Sequence, residues 1–350
     1  EKAYILNTRP SHDTTRHDRP TMPLKTAITE MFKIKHPIIQ GGMHYVGYAG
    51  LASAVANAGG LGLVTALTQP SPEALSKELD KAKSMWDPSK GGQLGVNLTI
   101  LPMFAEVDYG AYKDVIVSSG LTAVETAGRP PGDFVKAFQD AGMSVIHKCV
   151  TTRHAKSAER MGVDAISLDG FECGGHPGEE DIGNFVLQAQ GGRELSVPFV
   201  CSGGVGTGKQ LASAIMLGAA GVNMGTRFMA TEEAAVHDNI KKALVEGGAG
   251  MTTLVMRSVR NTERVYKNET AMKVREIEAE FPGEFEKIHQ YVKGENYRVS
   301  FQETGDTESS VWSCGEVMSL IDEVLTCQQL IEGMVAEAEE ALKGGQDFIV

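Results

Sequence analysis

Cysteine is scarce in this chain. There are five, at 149, 173, 201, 314 and 327, with no C-x-x-C and no paired spacing. That argues against a disulfide framework or a thiolate metal site, and the thiols are expected to stay reduced in an intracellular, cytoplasmic protein. Cys149 and Cys201 fall in apolar runs, where a thiol packs as a small hydrophobe. Basic residues are outnumbered, 33 against 45 acidic, for a net charge of −12. Nucleic acids and anionic membrane surfaces attract the opposite balance, so neither is expected as a partner. No apolar run approaches the ~18–20 residues that cross a bilayer. There is no G-x-G-x-x-G opening a Rossmann unit, no Walker motif and no metal-ligand cluster. Acids and bases are also few at the positions where chemistry is expected, which argues against hydrolysis.

What is present is glycine, 40 residues of it, in an otherwise ordinary globular composition of 42% hydrophobic and 22% charged residues. A length of 350 suffices for one large barrel and an appendage. Residues 1–21 are polar and aperiodic, and 1–23 is expected to be an extended leader. Its Glu1, Asp13 and Asp18 fit poorly with a transit peptide, and Met22 is a plausible native start.

From His36 onward the chain alternates short apolar runs with helical segments. The runs are His36–Gln40, Leu61–Ala66, Gln93–Ile100, Leu121–Thr126, Ser144–Val150, Ala165–Asp169, Pro198–Cys201 and Gly221–Met224. Strands buried on both faces read this way, and strand–helix alternation means a parallel sheet. Ser71 followed by Pro72 marks a helix start, and Gly59-Gly60 a helix stop. The expected fold is a TIM (β/α)8 barrel with an additional helical lid subdomain.

The barrel reading leans on residues 198–228. Two strands there end in glycine turns, Ser202-Gly203-Gly204 and Gly225-Thr226, one helix apart. Parallel strands put both turns on one face, and glycine lets backbone N–H groups approach an anion. Tight turning alone is the plainer explanation of either pair. Their coincidence on the last two strands favours a cofactor phosphate held by Gly203, Gly204, Gly225 and Thr226.

After residue 236 the alternation stops. Residues 237–319 read as helices and are expected to form the lid, inserted into a barrel made of 24–236 and 320–350. Arg257, Arg260, Arg264 and Lys267 form a basic run there, read either as a solvated face or as a dinucleotide contact. Glu316–Leu342 is amphipathic and is expected to pack back on the barrel.

At the strand ends stand Gly42, Met43 and His44, then Asn97 and Thr99, Lys148 and Asp169. His176, in a glycine-rich loop ahead of Pro177, is the best acid–base candidate. Lys148 interrupts an apolar strand, so it either meets a cofactor or pairs with a carboxylate such as Asp169. His147 and His154 read as structural. A redox cofactor carrying its own chemistry suits so sparse a site.

The stretches H-P-I-I-Q-G-G-M (36–43), A-N-A-G-G-L-G (56–62), G-V-N-L-T (95–99), H-K-C-V (147–150), D-G-F-E-C-G-G-H-P-G-E (169–179), S-G-G-V (202–205) and N-M-G-T-R-F (223–228) resemble the FMN-dependent nitronate monooxygenase family. With M-R-S-x-R-N-T at 256–262, the pattern looks most like its bacterial NADH:quinone reductase subgroup. The resemblance implies noncovalent FMN, with NADH or NADPH as co-substrate. It implies that Gly42, Met43 and His44 line the flavin ring, that Thr99 and Lys148 contact the ring or ribityl chain, and that Gly175, Gly203, Gly204, Gly225 and Thr226 lie on the phosphate side. Asn97 joins them as a strand-end cofactor contact. His176 matches the family's active-site histidine, and His44 stands where glutamine is usual. The implied activity is NAD(P)H:quinone reduction. The alternatives are nitronate oxidation with O2, an FMN-dependent enoyl reductase and a flavin-binding protein without turnover.

Overall fold

Strand Ile38–Gln40 (β1) pairs on one side with Leu61–Thr65 (β2) and on the other with Val222–Met224 (β8), and this second pairing closes a barrel of eight parallel strands. The structure, a computed structural model, describes residues 24–100 and 107–349; the expected leader lies outside them. The remaining strands are Gln93–Ile100 (β3), Ala123–Gly128 (β4), Ser144–Cys149 (β5), Ala165–Asp169 (β6) and Phe199–Ser202 (β7). Between them run helices Ala49–Asn57 (α2), Pro72–Met85 (α3), Tyr109–Ser118 (α4), Phe134–Asp140 (α5), Thr152–Arg160 (α6), Asn184–Glu194 (α7) and Gly208–Met216 (α8). This is the TIM barrel the alternation predicts. Ser71 caps α3 by accepting the Ala74 N–H, with Pro72 in the first turn.

The barrel's interior is graded along the strands. Ile39, Leu61, Ala123, Ile146, Ala165 and Val200 form an apolar plug with Leu63. Helix Ala27–Phe32 (α1) seals its lower end with Ile28 and Phe32. Side chains alternate along a strand, so the inward position after Ala123 is Glu125, after Ile146 is Lys148, after Ala165 is Ser167 and after Val200 is Ser202. The lining therefore turns polar towards the C-terminal strand ends, where barrels of this kind carry their sites.

After β8 comes a short helix, Thr226–Met229 (α9), and then the segment expected to be helical. It contains helices Asp238–Glu246 (α10), Glu269–Glu280 (α11), Phe285–Ile288 (α12) and Gly294–Val299 (α13). It is not wholly helical. Thr252–Val255 (β9) and Glu263–Tyr266 (β10) pair as an antiparallel hairpin. Val255, Val265, Val274, Ile288 and Val311 give this segment a small core of its own. Each hairpin strand is four residues long, too brief to stand out from helical periodicity.

The chain returns as Cys327–Gly344 (α14), which packs on α8 and α2 as its amphipathic pattern predicts. Leu330, Ile331, Met334 and Val335 are buried, each contributing roughly 1.5–3 kcal/mol. Gly208 has no room for a Cβ against the Met334 carbonyl. The Glu337 carboxylate accepts the Gly208 N–H at 2.6 Å, satisfying an orphan donor at the start of α8. Among the described residues no helix is long and apolar enough to cross a membrane.

Candidate active site

The strand ends open into one cavity of about 920 Å³. Its floor is a hydrogen-bonded network built around Glu125, which is fully buried on β4. Glu125 accepts from Gly42 N–H (3.0 Å), Asn97 Nδ2 (2.6 Å) and Asn223 Nδ2 (2.7 Å). Asn223 also donates to Ser167 Oγ at 3.0 Å, and Ser167 donates to Asp169 Oδ1 at 3.3 Å. Thr99 Oγ1 donates to Asn97 Oδ1 at 3.3 Å. Asn97 is thus largely engaged by the floor itself, although it and Thr99 both line the cavity.

Lys148 stands 3.2 Å from Asp169, and its side chain keeps 25% exposure towards the cavity. Burial works against its charge, but Asp169 and then Glu125 outweigh that, and its pKa is raised. The expected pairing with Asp169 is present, and Lys148 also lines the cavity. His147, beside it in sequence, is buried and shares a 2.8 Å hydrogen bond with Thr126. Burial pulls its pKa down to about 4, so it is neutral at ordinary pH, and it too borders the cavity. His154 is exposed at the cavity edge.

The two glycine turns border the same cavity. Gly203 (φ 81°) and Gly204 (φ 71°) both need the left-handed region. A Cβ on Gly203 would meet Cys173 Cβ at 2.5 Å, and one on Gly204 would meet Glu172 Cβ at 2.9 Å. The loop after β6 therefore presses on these glycines from behind. Asn184 fixes the turn by donating to the carbonyls of Ser202 (2.9 Å) and Gly203. The backbone N–H groups of Gly203, Gly204, Gly225 and Thr226 have no acceptor among the described residues. Gly175 differs. Its N–H donates to the Arg264 carbonyl at 3.0 Å and its carbonyl accepts the Arg264 N–H at 2.6 Å. That N–H is taken, so Gly175 joins the loop to the hairpin instead of offering a donor to an anion.

The basic run divides. Arg264 is buried, donates from Nε and one terminal nitrogen to the Phe171 carbonyl (3.1 and 2.9 Å), pairs with Glu316 at 2.8 Å and lies over the Phe171 ring at 4.5 Å. Arg257 is joined to Asp181, at 2.9 Å through Nη1. Lys267 is exposed, and only Arg260, also exposed, borders the cavity. The run is therefore neither one solvated face nor one dinucleotide contact.

His176 borders the cavity, exposed, with no hydrogen-bond partner among the described residues. Met43 and His44 border it too. The Met43 N–H is held by Thr65 Oγ1 at 2.9 Å. The His44 ring stacks on Tyr45 at 3.8 Å and meets the Tyr297 hydroxyl through Nδ1 at 2.7 Å. Sequence reading missed Glu125, Asn223, Glu263, Tyr297 and Ser313. For Glu125 the signal was available: it is a carboxylate in an apolar run, as Lys148 is a cation in one.

Comparison with known proteins agrees with this architecture. The family model described as nitronate monooxygenase matches residues 25–101 and 97–337. An octahydroindene-carboxyl-CoA dehydrogenase of Mycobacterium tuberculosis is 30% identical over 91% of this chain and 97% of its own length. A probable nitronate monooxygenase of Staphylococcus saprophyticus is 25% identical over 75% of this chain and 84% of its own. Among solved structures, FabK from Thermotoga maritima superposes with a TM-score of 0.84 at 29% identity, covering 93% of this chain and 100% of that one. A nitroalkane oxidase from Streptomyces ansochromogenes shares the fold, with a TM-score of 0.76 at 23% identity over 91% of this chain and 99% of its own. Matched by the family model from residue 25 into α14, the chain belongs to the nitronate monooxygenase family of oxidoreductases.

Proposed function

We propose that the chain is an FMN-dependent oxidoreductase that takes electrons from a small activated carbon substrate, a nitronate or a CoA-thioester-activated compound, with His176 as its acid–base group. The observation that carries this is the donor set of one cavity. Four backbone N–H groups without acceptors among the described residues, at Gly203, Gly204, Gly225 and Thr226, border the same 920 Å³ space as Lys148. Such a set fits a phosphate-bearing ring cofactor, and the space is at the upper end of ordinary ligand sites. When bound, FMN would supply the electron acceptor.

The chain's own residues do the rest. The glycine turns hold the phosphate, and Gly42, Met43 and His44 border the ring. Lys148 places a positive charge in the cavity, tempered by Asp169. His176 is unpaired and takes or returns the substrate's proton. Met256, Arg260, Val292 and Phe301, from the segment after β8, line the cavity together with the strand ends, as a cover contributed by that segment would. The thioester alternative draws on the CoA dehydrogenase relative, and the nitronate alternative on the Staphylococcus protein.

A second reading is NAD(P)H:quinone reduction. Arg260, exposed at the cavity's edge, favours it as a contact for a dinucleotide phosphate. It ranks second because Arg257 and Arg264 are occupied elsewhere.

Anaerobic mixing separates the two. Bleaching of the flavin band by an alkyl nitronate but not by NADH or NADPH supports the first reading. Bleaching by NADH or NADPH, reversed by a quinone, overturns it in favour of the second. Bound flavin with neither response means a protein without turnover on these substrates.

A further inference from the structure

The turn after β7 has three successive carbonyls tied down by two side-chain amides. Asn184, the first residue of α7, donates from Nδ2 to the carbonyls of Ser202 (2.9 Å) and Gly203. Gln210, in the first turn of α8, donates from Nε2 to the Gly204 carbonyl at 2.6 Å. The Ser202 carbonyl also accepts the Gly170 N–H at 3.0 Å.

The direction of each amide is set by its other end. Gln188 is buried, and its Nε2 donates to Asn184 Oδ1 at 2.6 Å and to the Leu168 carbonyl at 3.0 Å. Asn184 Oδ1 is therefore the acceptor end, and Nδ2 is the end that meets the turn. Gln210 Oε1 accepts the N–H groups of Gly206 (2.9 Å) and Thr207 (3.2 Å), which leaves Nε2 for Gly204.

A trans peptide unit is planar, with its C=O and N–H pointing opposite ways. Fixing the carbonyls of Ser202, Gly203 and Gly204 thus fixes the N–H groups of Gly203, Gly204 and Val205. These three residues line the cavity, and neither Asn184 nor Gln210 does. None of the three N–H groups has an acceptor among the described residues. The amides hold the carbonyls from outside the cavity, so the donors are turned towards it. Successive N–H groups presented in this way make an anion-binding concavity.

We propose that Asn184 and Gln210 are positioning residues for a cofactor phosphate, and that the Val205 N–H joins those of Gly203 and Gly204 as a donor to it. This deepens the FMN reading and rests on it. Two adjacent glycines leave a turn free to rotate its peptide units. The two amides remove that freedom, so the donors are oriented before the anion arrives and less ordering is left for binding to supply.

The test titrates the flavin-free full-length chain with FMN and with riboflavin, which lacks only the phosphate, and reads quenching of flavin fluorescence. The wild type should bind FMN about a hundredfold more tightly or better, as several hydrogen bonds to a charged group provide. Asn184→Ala and Gln210→Ala should each weaken FMN about tenfold and leave riboflavin within about twofold. Either variant carries the same ratio if the other fails to fold. An unchanged preference for FMN in the variants overturns the inference, and so does an equal loss for both flavins, which would mean a merely structural role. Equal binding of FMN and riboflavin by the wild type would overturn the phosphate reading itself, and this inference with it.

Discussion

Glu125 on β4 accepts the backbone N–H of Gly42, in the loop after β1, at 3.0 Å across the inside of the barrel. The same carboxylate holds Asn97 and Asn223, so three separate parts of the cavity floor share one anchor. Glu125→Ala would remove the acceptor that these three donors share, leaving Asn97 Nδ2 and the Gly42 N–H unmatched and Asn223 held by Ser167 alone. We expect a loss of about 3–5 kcal/mol in urea unfolding and a fall in bound flavin. Unaltered stability would show that the floor does not depend on this residue.

His176→Ala should leave flavin content unchanged, because the phosphate side and the floor do not involve it. Turnover should fall by about 10²–10⁴-fold, the usual range for a lost acid–base group. Loss of flavin in this variant would place His176 in cofactor binding instead.

Arg264→Lys keeps the charge but gives up the planar grip on the Phe171 carbonyl and the Phe171 ring. A loss of about 2 kcal/mol is expected, as is faster proteolysis of the loop after β6. An unchanged melting temperature would refute this clamp.

Acid should weaken the fold through two histidines. His36 and His147 are buried, and burial lowers each from 6.5 to about 4. The unfolded chain takes up these protons as pH falls past 6.5, while the fold resists until about 4. The stabilisation is therefore complete above pH 6.5 and is lost towards pH 4, by about 3 kcal/mol per histidine. Urea midpoints across this window measure it. His36→Leu should flatten the slope, since both His36 ring nitrogens lack partners.

All five thiols are free and buried. Burial pushes Cys149 and Cys173 up to about 12, so neither forms thiolate at neutral pH. A thiol-disulfide reagent at pH 8 should label the unfolded protein and leave the native one untouched. Fast native labelling would mean that the barrel opens readily.

The legible parts of the fold were those fixed by local pattern. β3 and β6 fall where their apolar runs begin and end, and Ser71–Pro72 starts α3 as read. The site was legible where a residue contradicts its surroundings, as Lys148 does. Other features depend on partners far along the chain. Arg257 meets Asp181, and Gly175 gives its N–H to Arg264, so neither the division of the basic run nor the loss of that donor follows from spacing. The hairpin β9–β10 draws its stability from the small core around Val265 and from Arg264, not from strand length. Tyr297 shares the cavity lining with His44 only because α13 folds back over the loop after β1.

The return of α14 to the barrel has an evolutionary corollary. For the frame, everything between α9 and α14 is a single connection whose two ends are pinned, one by β8 and the other by the α14–α8 contact. Closing a connection becomes dearer only with the logarithm of its length, about 0.6 kcal/mol per doubling. Cavity-lining walls can therefore be lengthened, shortened or replaced through descent while eight strands and their glycine turns stay as they are. Divergent chemistries on one inherited frame are what such an arrangement permits.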